Sequence, residues 1–343
     1  MTADTHRTAL VTGATGYIGG ALVPALLEAG WSVRVLTRSR AGLESRPWQR
    51  EVDVVEGDAT SPDDLARALR GVDVAYYLLH SMDGQGDFVA RDRALARGFA
   101  AAASDAGTAR IVYLSGLHPE GELSEHLASR VEVGEILLDG AVPATVLQAG
   151  VVLGDGSASF DMLRHLTERL PAMVAPKWVD NLIQPIAVDD VVHYLVGAAD
   201  LLPASNRTFD IGGPEVLTYA EMMQRYARVA GIGRRLIVSV PVLTPRLAGL
   251  WVGLVTPISA GIARPLVGSL IHEAVCHEDD VLAAIGAPAG GRTGFDDAVR
   301  AALRTVDPHQ WRRTARRTAA GVGATALAGA LLTTVLARRN PRR

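Results

Sequence analysis

Short runs that are apolar on both faces alternate with longer amphipathic stretches from residue 8 to about residue 148. The runs are "TALVT" (8–12), "SVRVL" (32–36), "DVVEG" (53–57), "VDVAYYLL" (72–79), "ARIVYL" (109–114) and "ATVLQ" (144–148). Strands with no polar face must be covered on both sides, and helical stretches between them supply the cover. The pattern therefore predicts buried parallel strands joined by crossovers, a doubly wound α/β sheet of the Rossmann kind, over residues 1–150. One crossover can be read in full. "SPDDLARALRG" has Ser61 as a cap, Pro62 at the first helical position, acids in the first turn and Gly71 past the end.

Beyond residue 150 the alternation loosens. A short strand is predicted at "QPIA" (184–187), a helix from Asp189, a strand at "RTFDIGG" (207–213) and a helix capped by Thr218 with Glu221 three residues on. Residues 235–275 are strongly apolar but broken by Pro241, Pro245, Pro257 and Pro265 and carry Arg246 and Arg264, which argues against a membrane span. They predict a helical lobe packed on the sheet, with a lipophilic substrate channel as the alternative. Residues 151–307 thus form a small, mostly helical C-terminal lobe with segments returning to the core. In the remaining 308–343, the uncharged run Thr318–Ala337 lies between arginines. At about 1.5 Å per residue it spans roughly 30 Å, enough for one hydrophobic tail helix anchored in a membrane, although Ala, Gly and Thr dominate it. A surface helix or a disordered tail is the competing reading. Gly321, Thr325 and Gly329 at four-residue spacing would let two such helices pack as a homodimer.

Composition narrows the setting. A formal net charge of −3 gives no sign of a nucleic-acid partner, and the single Cys276 excludes an internal disulfide and suits a reducing compartment. "MTADTHR" runs directly into the first strand without a secretory signal, so the expected location is the cytoplasmic face of the cell membrane. Of the 34 basic residues only Lys177 is a lysine.

Candidate chemistry begins at "LVTGATGYIGG", where Gly13, Gly16 and Gly19 fall at the turn from the first strand into the first helix. Glycines let the backbone approach a pyrophosphate, and the helix start offers free N–H groups and partial positive charge. After the second strand, "TRSR" places Arg38 and Arg40 where an NAD-specific protein usually carries an acid for the ribose. A guanidinium there can pair with a 2′-phosphate, so NADP(H) is the expected cofactor, with NAD(H) as the alternative. Asp58 in "VEGDAT" is a candidate adenine contact or a turn residue. No metal-ligand set stands out.

The glycine pattern with Asp58, "YYLLHSM", "YLSGL", "LQAGVVLGDGS" and "FDIGGPEVLTYAEM" together resemble the extended and atypical short-chain dehydrogenase/reductase superfamily over roughly residues 8–304. More narrowly, the chain resembles a bacterial branch similar at a distance to the Rossmann-type accessory subunit of respiratory complex I and to NmrA-like sensors. The resemblance implies that Thr12, Thr15, Tyr17 and Ile18 join the glycines in holding the cofactor, and that Leu78, Leu79 and His80 pass beside its ribose. It places Gln148, Gly150 and Val151 beside the nicotinamide and Ser115 in the position of the catalytic Ser or Thr. It also exposes a departure. The superfamily's active form uses a Tyr with a Lys four residues later, and no such pair exists here. His126, eleven residues after Ser115, occupies the Tyr position and Arg130 the Lys position, in the helix stretch "HLASR".

Histidine titrates near neutrality, about 6.5 when unperturbed, and can exchange a proton with a carbonyl or alcohol. One expectation is therefore an oxidoreductase acting at the membrane on a lipophilic carbonyl, alcohol or quinone-like molecule, with Ser115, His126 and Arg130 as catalytic residues. The other is a cofactor-binding redox sensor or assembly protein that performs no turnover and acts through a membrane-protein partner.

Overall fold

A computed structural model describes residues 7–80, 87–119, 121, 123–240 and 272–304. Its centre is a parallel seven-stranded sheet: β1 (Thr8–Thr12), β2 (Ser32–Thr37), β3 (Asp53–Glu56), β4 (Val74–Tyr77), β5 (Arg110–Gly116), β6 (Ala144–Ala149) and β7 (Arg207–Ile211), in the order β7-β6-β5-β4-β1-β2-β3. Six strands coincide with the apolar runs. The seventh, β7, comes from the C-terminal half and pairs with β6 from Arg207–Thr145 to Ile211–Ala149. The chain winds one way from β1 and the other way from β4, so a crevice opens at the carboxyl ends of β1 and β4, where a doubly wound sheet binds its ligand.

Alternate strand residues enter opposite cores. Ala9, Val11, Val74, Tyr76 and Val112 pack under α1 (Tyr17–Glu28) and α6 (Val188–Ala198). Leu10, Ala75, Tyr77, Ile111 and Tyr113 pack with residues of α2 (Pro62–Leu69), α3 (Phe88–Asp105) and α4 (Glu125–Leu138). This two-sided burial is what the unbroken apolar runs require. The Ser61 hydroxyl accepts from the Asp64 amide at 3.3 Å, as the cap pattern predicts.

A third core joins α5 (Ala158–Arg169) and α7 (Tyr219–Val229) to α9 (Phe295–Ala302) through Phe160, Leu163, Trp178, Met222, Tyr226 and Val299. The short helix α8 (Asp280–Ala284) lies between β7 and α9 in the chain. The capping box at Thr218 and Glu221 is present. One expectation needs correction. The beginning of the stretch 235–275 is not helical: Leu236–Val240 is a strand paired in parallel with Ala172–Pro176. Ile and two Val in five residues favour an extended pairing over a helix. The rest of the expected lobe segment (241–271) and the tail (305–343), with its proposed anchor, lie outside the described residues. Among the described residues no helix is long and apolar enough to cross a membrane.

Candidate active site

The turn after β1 is made by Gly13, whose φ of +71° favours glycine, and a Cβ on it would lie 2.6 Å from the Leu78 carbonyl oxygen. At Gly19 a Cβ would lie 2.4 Å from the Gly13 carbonyl, so this glycine lets α1 start tight against the turn. Gly16 differs: a Cβ there would meet only the Gly13 carbonyl, at 3.1 Å. Gly16 caps α1 without a side-chain hydrogen bond, and the first turn carries no acid. The open surface over Gly16 and the uncapped helix start fit a phosphate group. Thr12 has a different job from the one the resemblance implies. Its buried hydroxyl donates to the Tyr76 carbonyl at 2.9 Å and accepts from the Leu78 amide at 3.0 Å, which locks β1 to β4 under the cradle.

Arg46 is a cradle residue that sequence reasoning missed. Its guanidinium donates to the Thr15 carbonyl at 2.7 Å and lies where a Cβ on Gly20 would stand 2.7 Å away, so it clasps the glycine turn and puts a fixed positive charge beside it. Arg38 and Arg40 also separate. Arg40 is drawn onto β3, donating to the Val54 carbonyl at 2.7 Å and lying 3.7 Å from Glu56. Arg38 is exposed and makes no hydrogen bond among the described residues, yet its charge helps hold the Asp58 carboxyl below its ordinary range. The larger causes there are the amide and hydroxyl of Thr60, which both donate to Asp58 Oδ1 at 2.8 Å. Asp58 is thus a turn residue with an ionised carboxylate beside Arg38.

From the cradle a cavity of about 330 Å³ runs between the carboxyl ends of the strands and the lobe. Of the predicted residues, Gly13, Gly16, Tyr17, Ile18, Gly19, Leu78, Leu79, His80, Ser115, His126, Arg130, Gly150 and Val151 line it. Thr12, Thr15, Arg38, Asp58 and Gln148 do not, and the Gln148 amide nitrogen sits 3.2 Å from His118 Nε2. Gly150 must lack a side chain, because a Cβ would lie 2.7 Å from the Gln184 carbonyl.

The chemical centre is assembled by α4. Ser124 caps it by accepting from the Leu127 amide at 3.2 Å, which places His126 in the first turn and Arg130 one turn later on the same side. Arg130 donates to the Leu114 carbonyl at 2.7 Å, and its Nε is buried with no partner among the described residues. The Ser115 hydroxyl, on a residue only 2% exposed, donates to the Arg130 carbonyl at 3.4 Å. His126 meets His80 edge to face, with ring centroids 4.6 Å apart. Behind His80 stands Asp92, buried on α3, with Oδ2 3.8 Å from His80 Nδ1 and 3.4 Å from the Ser129 hydroxyl. Asp92 left no signal in the sequence because only the packing of α3 on α4 brings it here. His80 Nε2 is buried and unpartnered among the described residues.

Burial, then the charge of Arg130, lowers the pKa of His126 to about 4; burial, Arg130 and His126 together push His80 lower still. Position at a helix start acts in the same direction. Both imidazoles are therefore neutral near pH 7, which sequence alone does not reveal. Among the described residues no three His, Cys, Asp or Glu side chains are placed to hold a metal.

Residues 13–148 match a family model described as NAD(P)H-binding. A protein of Caulobacter vibrioides named ceramide reductase is 32% identical over 252 residues, which cover 69% of this chain and 75% of that protein. The chain belongs to the atypical short-chain dehydrogenase/reductases, a family of NAD(P)H-binding Rossmann proteins. Within the family, a 3-beta-hydroxysteroid dehydrogenase of Mycolicibacterium neoaurum is 32% identical over a shorter segment, 30% of each chain. The fold of this short-chain dehydrogenase/reductase is shared with the Citrobacter triphenylmethane reductase complexed with NADP(H). The TM-score is 0.67 and the identity 20%, over 86% of this chain and all of that one. It is also shared with the NADPH-dependent quinone oxidoreductase of Escherichia coli, with a TM-score of 0.65 and 18% identity, over 85% of this chain and 98% of that one.

Proposed function

We propose that the protein is an NADP(H)-dependent oxidoreductase acting on a carbonyl or alcohol of a lipophilic molecule, with a ceramide-type lipid as the leading candidate. The observation that carries this reading is a mainly apolar cavity that the phosphate cradle, Ser115, His126 and Arg130 line together. The name of the Caulobacter relative supports the substrate class. Arg38 supports NADP(H) over NAD(H), since an exposed guanidinium with no hydrogen bond of its own among the described residues suits a 2′-phosphate.

The cradle, α1 and Arg46 would hold the pyrophosphate end, and His80 with Gly150 and Val151 would border the nicotinamide end. When bound, the nicotinamide supplies or accepts the hydride. Neutral His126 would offer its N–H to the substrate oxygen, polarising a carbonyl without carrying positive charge, and would pass on a proton drawn from water. Burial, with the charge of Arg130 adding to it, keeps that imidazole neutral, and Arg130 holds the end of β5 in place through the Leu114 carbonyl. The tail 318–337 would keep the domain on the cytoplasmic face of the membrane, where such a lipid resides.

A second reading has an observation of its own. The Tyr-Lys pair is missing and the group in its place has a pKa of about 4, poorly matched to proton transfer at neutral pH. A cofactor-binding sensor or assembly protein with a membrane-protein partner would look the same. The deciding experiment follows loss of NADPH absorbance with the purified protein and keto lipids. Turnover abolished in His126→Ala supports the enzyme; no turnover with any keto lipid, quinone or steroid ketone, despite NADPH binding, supports the sensor.

A further inference from the structure

The lobe side of the cavity differs from the cofactor side in the kind of polar group it offers. Tyr219, the first residue of α7, is 1% exposed, and its hydroxyl is buried without a hydrogen-bond partner among the described residues although it borders the cavity. Its ring packs edge to face on Trp178, with centroids 5.6 Å apart, and the capping box at Thr218 and Glu221 fixes the backbone that carries it. The first turn of α5 also faces this cavity. Ser157, Ala158 and Ser159 border the same cavity, and the cap hydroxyl of Ser157 donates back to the Val152 carbonyl at 2.7 Å, so no side chain caps the helix amides. The Tyr17 hydroxyl is also buried and unpartnered, pressed against Gly154.

A buried hydroxyl with no partner costs roughly 1–3 kcal/mol, so a wall carrying such groups beside free helix amides is built to be completed by a ligand. Each of these hydroxyls and helix amides can donate a hydrogen bond, and the amides can do nothing else. The permanent charge on the cavity wall, Arg130, belongs to α4 on the cofactor side. Asp155, Asp161 and Asp189 lie close enough to Tyr17 to help hold its hydroxyl protonated, and their field opposes an anion.

We propose that Tyr219, Tyr17 and the first turn of α5 form a subsite for an uncharged oxygen acceptor, such as the amide carbonyl of an N-acyl lipid, carried by the substrate at a distance from its reacting carbonyl. This deepens, and rests on, the reading of the cavity as a lipid oxidoreductase site. The amide is favoured over a free amine because the α5 amides only donate hydrogen bonds and the uncapped start of that helix carries partial positive charge, which disfavours an ammonium group.

The test uses full-length protein loaded with NADPH and titrated with three lipids of equal chain length: a keto lipid bearing an N-acyl amide, the same lipid with a free amine, and a plain long-chain ketone. The N-acyl lipid should bind about tenfold more tightly than either of the others, the effect of one or two neutral hydrogen bonds. Tyr219→Phe should remove most of that advantage while leaving NADPH affinity unchanged and the melting temperature equal to or above that of the parent, because it deletes an unsatisfied hydroxyl and keeps the ring. Equal binding of the three lipids, tighter binding of the free amine, or an advantage that survives Tyr219→Phe overturns the subsite. So does a variant that melts lower and loses all three lipids alike. Turnover on the same lipids separates the two claims. Selective binding without NADPH oxidation refutes the oxidoreductase and leaves the subsite standing; oxidation of NADPH by all three at one KM does the reverse.

Discussion

The two walls of the cavity solve recognition differently. The phosphate end of the cofactor wall is made of backbone: a turn at Gly13, an uncapped helix start at Gly16, and strand ends locked by the Thr12 hydroxyl. The lobe wall is made of side chains from distant segments, and among the described residues it leaves the Tyr219 hydroxyl unpartnered. A backbone wall recognises a group common to many partners and tolerates no added side chain. A side-chain wall can be retuned atom by atom, and the proposed subsite puts substrate selectivity there.

The largest effects should follow changes to the backbone wall. Gly13→Ala forces an L-residue into a positive φ, at about 1–3 kcal/mol, and adds a clash with the Leu78 carbonyl. Loss of measurable NADPH binding with a lower melting temperature is expected, and a variant that binds NADPH normally would show that the cradle is not the phosphate site. Next in size is His126→Ala, expected to lower turnover by roughly 10² to 10⁴ at unchanged NADPH affinity. With a pKa of about 4, His126 should produce no inflection near pH 6.5 in the parent's kcat/KM profile; an inflection there, absent in His126→Ala, would mean that the imidazole works as an imidazolium.

Cofactor choice should move less. Arg38→Glu should narrow or reverse the preference for NADPH over NADH by about 1–3 kcal/mol, and equal affinities of the parent for the two cofactors in calorimetry would remove the assignment.

The smallest effect concerns acid stability. His80, His126 and His165 all have depressed pKa values in the folded protein, with burial the main cause. The unfolded chain therefore binds protons that the folded chain refuses. Their contribution is complete above about pH 6.5 and falls as pH drops toward 4. His126→Gln should flatten the loss across that window in denaturant titrations. An unchanged slope would place His126 in water rather than in the cavity.

Much of this molecule follows from local rules that the sequence states openly. Unbroken apolar runs of strand length require a sheet covered on both faces, and three glycines after the first run require a close backbone turn. Both are properties of neighbouring residues, so the strands β1 to β6, the caps at Ser61 and Thr218 and the cradle were all legible. The strand at Leu236–Val240 was not, because a five-residue apolar run suits a helix or a strand until its partner at Ala172–Pro176 is known. Tertiary structure alone decided the charge state of the site and its second wall. Arg46 reaches the glycine turn from 31 residues away, Asp92 reaches His80 through the packing of α3 on α4, and Tyr219 reaches the cavity from a helix in another core. Burial makes His126 neutral at pH 7, and burial depends on how the whole chain folds around a residue rather than on the residues beside it.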